Sequence, residues 1–178
     1  LFVPLLGHAT EAWPNTSTDC VRWAAQKRLF FVREVKVYGM NCSIKVSVAA
    51  NEASKRLHVS IPHERFQSGE PERDKVVSDL LGGESFPNVR FVSDPLNDDQ
   101  WALLKNATLK TLSGRLVIRN AAFPISLNLS HKGPFVYGEM KSSMSFFKVK
   151  VPKVGGGAVA KVRNGLGLSF RMRTALLR

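Results

Sequence analysis

The sequence predicts an all-β protein of antiparallel strands, closed into a barrel or folded into a sandwich. Three observations carry this. Apolar residues recur with a period of two through most of the chain, glycine and asparagine punctuate the runs, and a single longer segment turns to helical spacing. With 178 residues, the chain has room for one domain with a full core. Hydrophobic residues make up 44% and charged residues 22%, a balance that fits a folded chain and not a disordered one. No run of about eighteen apolar residues occurs, so no transmembrane helix is expected.

The opening segment Leu1-Phe2-Val3-Pro4-Leu5-Leu6-Gly7 is apolar, and the small residues Ala9, Thr10 and Ala12 follow. This resembles the tail of a secretory signal peptide cut after Ala12, which assigns residues 1–12 to a signal remnant and 13–178 to one domain. In an exported chain the pair Cys20 and Cys42 reads as one disulfide, joining the first strand to a later one. In a reducing compartment the same residues would be two buried thiols. No CxxC occurs, so redox and zinc chemistry lack support.

The period-two runs follow. Between Leu29 and Tyr38 the apolar parity changes, from Phe30 and Val32 to Val35 and Val37, and a β-bulge at Arg33-Glu34 is expected there. Ile44, Val46 and Val48 alternate with polar residues, as do Leu57, Val59 and Ile61. Leu116 and Ile118 form another set, then Ile125, Leu127 and Leu129 beyond Phe123, then Leu168, Phe170 and Met172. Each run has one wet face and one dry face, the mark of antiparallel sheets. Arg171 and Arg173 fall on the wet face. Gly39, Asn51, Gly133, Gly138 and the Gly155-Gly156-Gly157 run act as turn formers.

From Glu72 to Leu81 the spacing is helical, with Val76, Val77, Leu80 and Leu81 on one side, Pro71 at the start and Gly82-Gly83 at the end. A second short helix is expected over Asp98–Lys105, capped by Asp98 or Asp99 and packing Trp101 and Leu104 inward.

The sequence offers little chemistry. His58 and His63 have opposite strand parity and would not face one metal, and no HExxH or GxSxG motif is present. The Gly155–Gly157 run lacks a following GK[ST] and reads as a hairpin, not a P-loop. No nucleophile is matched to a base, so no enzyme, cofactor or metal is expected. The net charge of +12 suits an acidic partner, such as an anionic membrane surface. An alternative is a basic barrel that binds nucleic acid on its surface. It lacks solvent-face aromatics set in a basic groove, so nucleic acid is not expected.

Four pieces of sequence between Arg65 and Leu168 resemble the YceI-like family. They are Phe66-Gln67-Ser68-Gly69 followed by Arg73-Asp74, then Phe86-Pro87-Asn88-Val89-Arg90-Phe91-Val92-Ser93, then Gly114-Arg115-Leu116-Val117-Ile118, then Phe123-Pro124-Ile125-Ser126-Leu127. Asp19–Trp23 and Ser145–Pro152 depart from the family's pattern, so the chain reads as a divergent member. The resemblance implies an antiparallel eight-stranded lipocalin-like barrel with a short capping α-helix. It also implies an elongated cavity for a polyisoprenoid or other long-chain lipid, a periplasmic location and a homodimer.

Set into such a barrel, the dry-face residues become the candidate lining: Ile44, Val46, Val48, Leu57, Val59, Ile61, Phe91, Leu116, Ile118, Ile125, Leu127, Leu129, Leu168, Phe170 and Met172. None has a hydrogen-bonding side chain. An open interior would hold an isoprenoid or fatty-acyl chain, gaining about 0.8 kcal/mol per CH₂ buried, whereas a closed one would simply be core. Arg73 and Asp74 would pair to seat the helix over one barrel end. Phe135, Tyr137, Phe146 and Phe147 would form the cavity mouth.

Overall fold

The computed structural model describes residues 12–30, 32–154 and 160–178. The apolar opening segment 1–11 and the Gly155–Gly157 hairpin expectation fall outside the described residues.

Among the described residues ten strands form the sheet: β1 (Cys20–Leu29), β2 (Arg33–Asn41), β3 (Lys45–Ala50), β4 (Lys55–Pro62), β5 (Asn88–Ser93), β6 (Thr111–Ile118), β7 (Ala121–Lys132), β8 (Phe135–Ser143), β9 (Lys153–Val154) and β10 (Ala160–Arg173). The ladder runs β2-β1-β10-β8-β7-β6-β5-β4-β3, with β9 added beside β10, and every pairing is antiparallel. Eight antiparallel steps from β2 to β3 leave those two strands running in the same sense, and only three residues join them. They are two halves of one bent strand, 33–50. Its first half pairs with β1 and its second with β4, so the chain itself closes the sheet into a ring of eight.

The bend is held from three sides. The Asn41 amide donates to the Pro62 carbonyl at 2.8 Å, its Oδ1 accepts from the Ser43 N–H at 2.9 Å, and Cys42 is bonded to Cys20. The disulfide therefore ties the start of β1 to the bend, across the open end of the β1–β2 hairpin.

The parity change near Arg33 is not a bulge. The chain reverses there: Val32 N–H bonds back to the Leu29 carbonyl at 3.1 Å, and β2 begins at Arg33. A register shift does occur, but in β10: Arg163, Asn164 and Gly165 stand opposite the single β1 residue Gln26. Phe30 and Val32 lie in the turn and Val35 and Val37 in β2, a reversal that a one-dimensional pattern cannot separate from one bulged strand.

The two ends of the ring are built differently. Helix α2 (Asp98–Lys105) and the 3₁₀ turn Thr174–Leu177 plug one end. Trp101, Leu104, Leu96 and Leu177 are all buried there, and the Trp101 indole N–H donates to the Leu177 carbonyl at 3.2 Å. The cap of α2 is Asn97, not Asp98 or Asp99. It accepts from the Gln100 N–H at 2.9 Å, while the Gln100 side chain accepts from the Asn97 N–H.

Helix α1 (Pro71–Leu81) lies at the other end, between β4 and β5. Arg73 and Asp74 do not pair with each other, as the sequence suggested. Neighbouring helical residues point about 100° apart, so each finds its own partner. Asp74 accepts from the Ser68 N–H and hydroxyl, whereas Arg73 donates to the Ser68 carbonyl at 2.9 Å and pairs with Glu70 at 2.9 Å. The buried His63 completes the seat. Its Nε2–H donates to the Phe86 carbonyl at 2.7 Å, which leaves Nδ1 to accept from the Ser78 hydroxyl at 2.9 Å.

Alternation places Arg171 on the outer face, yet it is only 4% exposed. Residues 13–19 lie over it, and the carbonyls of Pro14, Thr16 and Thr18 accept from its guanidinium at 2.7–3.0 Å. The rings of Trp13 and Phe135 stack on the same group. Phe135 and Tyr137 thus pack under the N-terminal segment, and not at a cavity mouth.

Candidate functional site: a cavity in the barrel

Inward side chains of β1, β4, β5, β6, β7 and β10, together with Ile44 and Val46, surround a cavity of about 450 Å³. The volume lies in the usual range for ligand sites. The barrel is therefore solid at the α2 end and hollow toward α1.

Thirteen of the residues expected from sequence line this space: Ile44, Val46, Leu57, Val59, Ile61, Phe91, Leu116, Ile118, Ile125, Leu127, Leu168, Phe170 and Met172. Val48 and Leu129 do not. Val48 faces α2 beside Trp101 and Leu177, and Leu129 packs against the core. Alternation fixes which side of the sheet a residue takes but not its height along the barrel, and these two sit toward the plugged end.

Other lining residues escaped the sequence reading. Val21, Trp23 and Ala25 on β1, and Val37 on β2, line the space. The apolar side of α1 (Val76, Val77, Leu80 and Leu81) covers its far end. The helical spacing marks this face in the sequence, and the family resemblance sets the helix over one barrel end, where it covers the hollow. Phe147 and Met144 also line the cavity, whereas the adjacent Phe146 is turned outward.

Three aromatic rings shape the wall by lying over glycines of the next strand: Trp23 on Gly39, Phe91 on Gly114 and Phe170 on Gly138. With no Cβ beneath it, each ring lies flat on the sheet and the interior stays open. At Gly39 or Gly138 the three atoms nearest to an added Cβ belong to the ring, which could swing into the cavity. At Gly114 it would also strike the Val92 carbonyl oxygen, which is fixed in the ladder. Gly114→Ala is therefore expected to cost about 1–3 kcal/mol of stability, read as a lower urea midpoint at unchanged slope.

Polar groups are scarce in the wall. The Trp23 Nε1–H is buried against Gly39 with no acceptor among the described residues. Five of the seven charged lining residues gather where α1 meets the β1/β9 side: Glu70, Glu72 and Arg73 on one edge, Lys27 and Lys153 on the other, with Arg22 and Arg171 apart from them. Lys153, Glu70, Glu72 and Val76 are exposed, so the cavity opens to solvent between these edges. Among the described residues, no group of three or more His, Cys, Asp or Glu could hold a metal ion.

A family model described as the YceI-like domain matches residues 21–173, nearly the whole described chain. The chain belongs to the YceI-like family. Solved structures with the YceI-like fold agree. A polyisoprenoid-binding domain from Saccharophagus degradans, implicated in plant cell wall breakdown, is 9% identical at a TM-score of 0.58, over 88% of this chain and 93% of that one. BcnA of Burkholderia cenocepacia is 15% identical at a TM-score of 0.55, over 85% and 94%. The Campylobacter jejuni YCEI protein is 13% identical at 0.52, over 94% and 90%. At such identities the likeness shows the fold alone. No curated protein sequence matches the chain.

Proposed function

We propose that this YceI-like barrel binds a long-chain apolar molecule, a polyisoprenoid or similar lipid, and carries it without chemical change. The observation behind this reading is the hollow end of the barrel, about 450 Å³ walled by aliphatic and aromatic side chains. Such a wall gives a chain what water denies it, about 0.8 kcal/mol for each CH₂ transferred. It offers no directional partner, so chain length and shape would set affinity, with charged ends selected at the mouth. The Saccharophagus degradans neighbour, described as polyisoprenoid-binding, adds to the reading.

A periplasmic setting accompanies the proposal. The Cys20–Cys42 disulfide suits an oxidising compartment, and a carrier is needed where lipids must cross water. The test is gentle purification, organic extraction and mass spectrometry, with titration of a fluorescent fatty acid alongside. A co-purified lipid and saturable probe binding are expected. Empty protein that leaves the probe unchanged would refute the carrier reading.

A further inference from the structure

The β1–β2 hairpin breaks two rules at once. Its tip carries Phe30, 68% exposed, and Val32, 87% exposed. Phe30 also has a φ of 46°, a turn conformation that suits glycine or asparagine and strains a phenylalanine. A residue that is both strained and wasted on water is the kind of local inconsistency that marks function.

The surroundings point the same way. Strand senses place this tip, helix α1 and the 144–153 segment at the same, hollow end of the barrel. Seven large hydrophobic residues are exposed among the described residues, and five of them lie at this end: Phe30, Val32, Val76, Phe146 and Val151. The hairpin also projects. Met40 is bridged to Gln67, just before α1, and β2 extends seven residues beyond that point to Arg33, about 23 Å at the usual strand rise.

Positive charge surrounds the apolar tip. Arg33, Lys36, Lys153 and Lys161 are exposed around the hairpin, and Lys148 and Lys150 extend the field beside Phe146. The acid on the hairpin, Glu34, is already engaged. Arg163 at 2.7 Å and Arg28 at 2.9 Å hold its carboxyl below the usual range. On α1, Glu70 is tied to Arg73, Asp74 to Ser68 and Asp79 to Lys75, while Glu72 and Glu84 add negative charge on that side.

We propose that this end of the barrel docks on an anionic lipid bilayer, with Phe30 and Val32 at the acyl boundary and the surrounding lysines and arginines among the headgroups. A projecting apolar tip fits a fluid layer that deforms around it, and the basic field complements anionic lipid. Docked this way, the cavity mouth between α1 and Lys27/Lys153 faces the membrane, and a lipid could pass between bilayer and barrel with little exposure to water.

The experiment is co-sedimentation of the full chain with phosphatidylcholine vesicles, with and without about one-third phosphatidylglycerol. The unaltered protein should partition at least about tenfold more strongly onto the anionic vesicles, and less so as salt rises. The double variant Phe30→Gly, Val32→Ser should lose at least about tenfold of that partitioning. It should melt no lower than the parent, since glycine relieves the turn. Its uptake of a fluorescent fatty acid in free solution should be unchanged. That last arm separates the proposals: loss of probe uptake by both proteins would overturn the carrier reading and not the docking. Equal partitioning of parent and variant, equal binding to neutral and anionic vesicles, or no vesicle binding by the parent would overturn the docking, the second outcome favouring a purely apolar contact.

Discussion

Replacing Val59 and Leu168 together with tryptophan is expected to weaken lipid binding about a hundredfold while leaving the barrel folded. Both side chains line the void and are only partly buried, with the core packed on their other sides. Enlarging them fills empty space and does not press into core, so the overpacking penalty is small. The space they fill is the space a hydrocarbon chain needs. Excluding three or four methylenes, at about 0.8 kcal/mol each, weakens binding about a hundredfold. Two indoles in a cavity of about 450 Å³ should displace at least that many. Titration of a fluorescent fatty acid gives the affinity, and near-ultraviolet circular dichroism with thermal melting reports the fold. Full affinity in the double variant would place the ligand elsewhere.

Breaking the disulfide should produce the largest loss of stability. Cys20 and Cys42 are 22 residues apart, and a bridge of that span restrains the unfolded chain by about 3 kcal/mol. For a chain of this size that corresponds to a melting temperature lower by roughly 6–12 °C. The native structure also depends on the bond, since Cys42 sits in the bend of strand 33–50 and Cys20 lies in the ladder with its partner Arg171. Cys20→Ala with Cys42→Ala should therefore melt like the parent protein kept in reductant. A double variant as stable as the oxidised parent would show that the bend holds without its covalent tie.

The dry faces of β4, β6, β7 and β10 were legible in the sequence because alternation is a local property, and the structure places nearly all of those residues on the inner wall. Val48 and Leu129 show where that information ends. Their parity is right, but parity says nothing of position along the barrel axis, and α2 decides what they meet. Arg171 shows the converse. It occupies an outer position, as its parity requires, and is buried by residues 13–19, whose return over the sheet no strand pattern encodes. The hairpin at Phe30 is not legible in the sequence, because a reversal and a bulge change parity alike. The glycines at 39, 114 and 138 are visible as residues, but the rings lying on them come from neighbouring strands, and only the register brings them together. The hollow itself has no signature in the sequence, since the same aliphatic residues would serve a filled core.

The bent strand 33–50 has a consequence for how cargo moves. A barrel zipped shut between two edge strands can part along that line, giving its contents a side door. Here the meeting line is crossed by the polypeptide, and a covalent staple sits at the corner, so the two edges are tied together at the bend. With the α2 end stoppered by tryptophan and leucine, a carried lipid would enter and leave through the mouth beside α1. The ease with which that helix lifts, and not the strength of the sheet, would then govern how long a passenger stays.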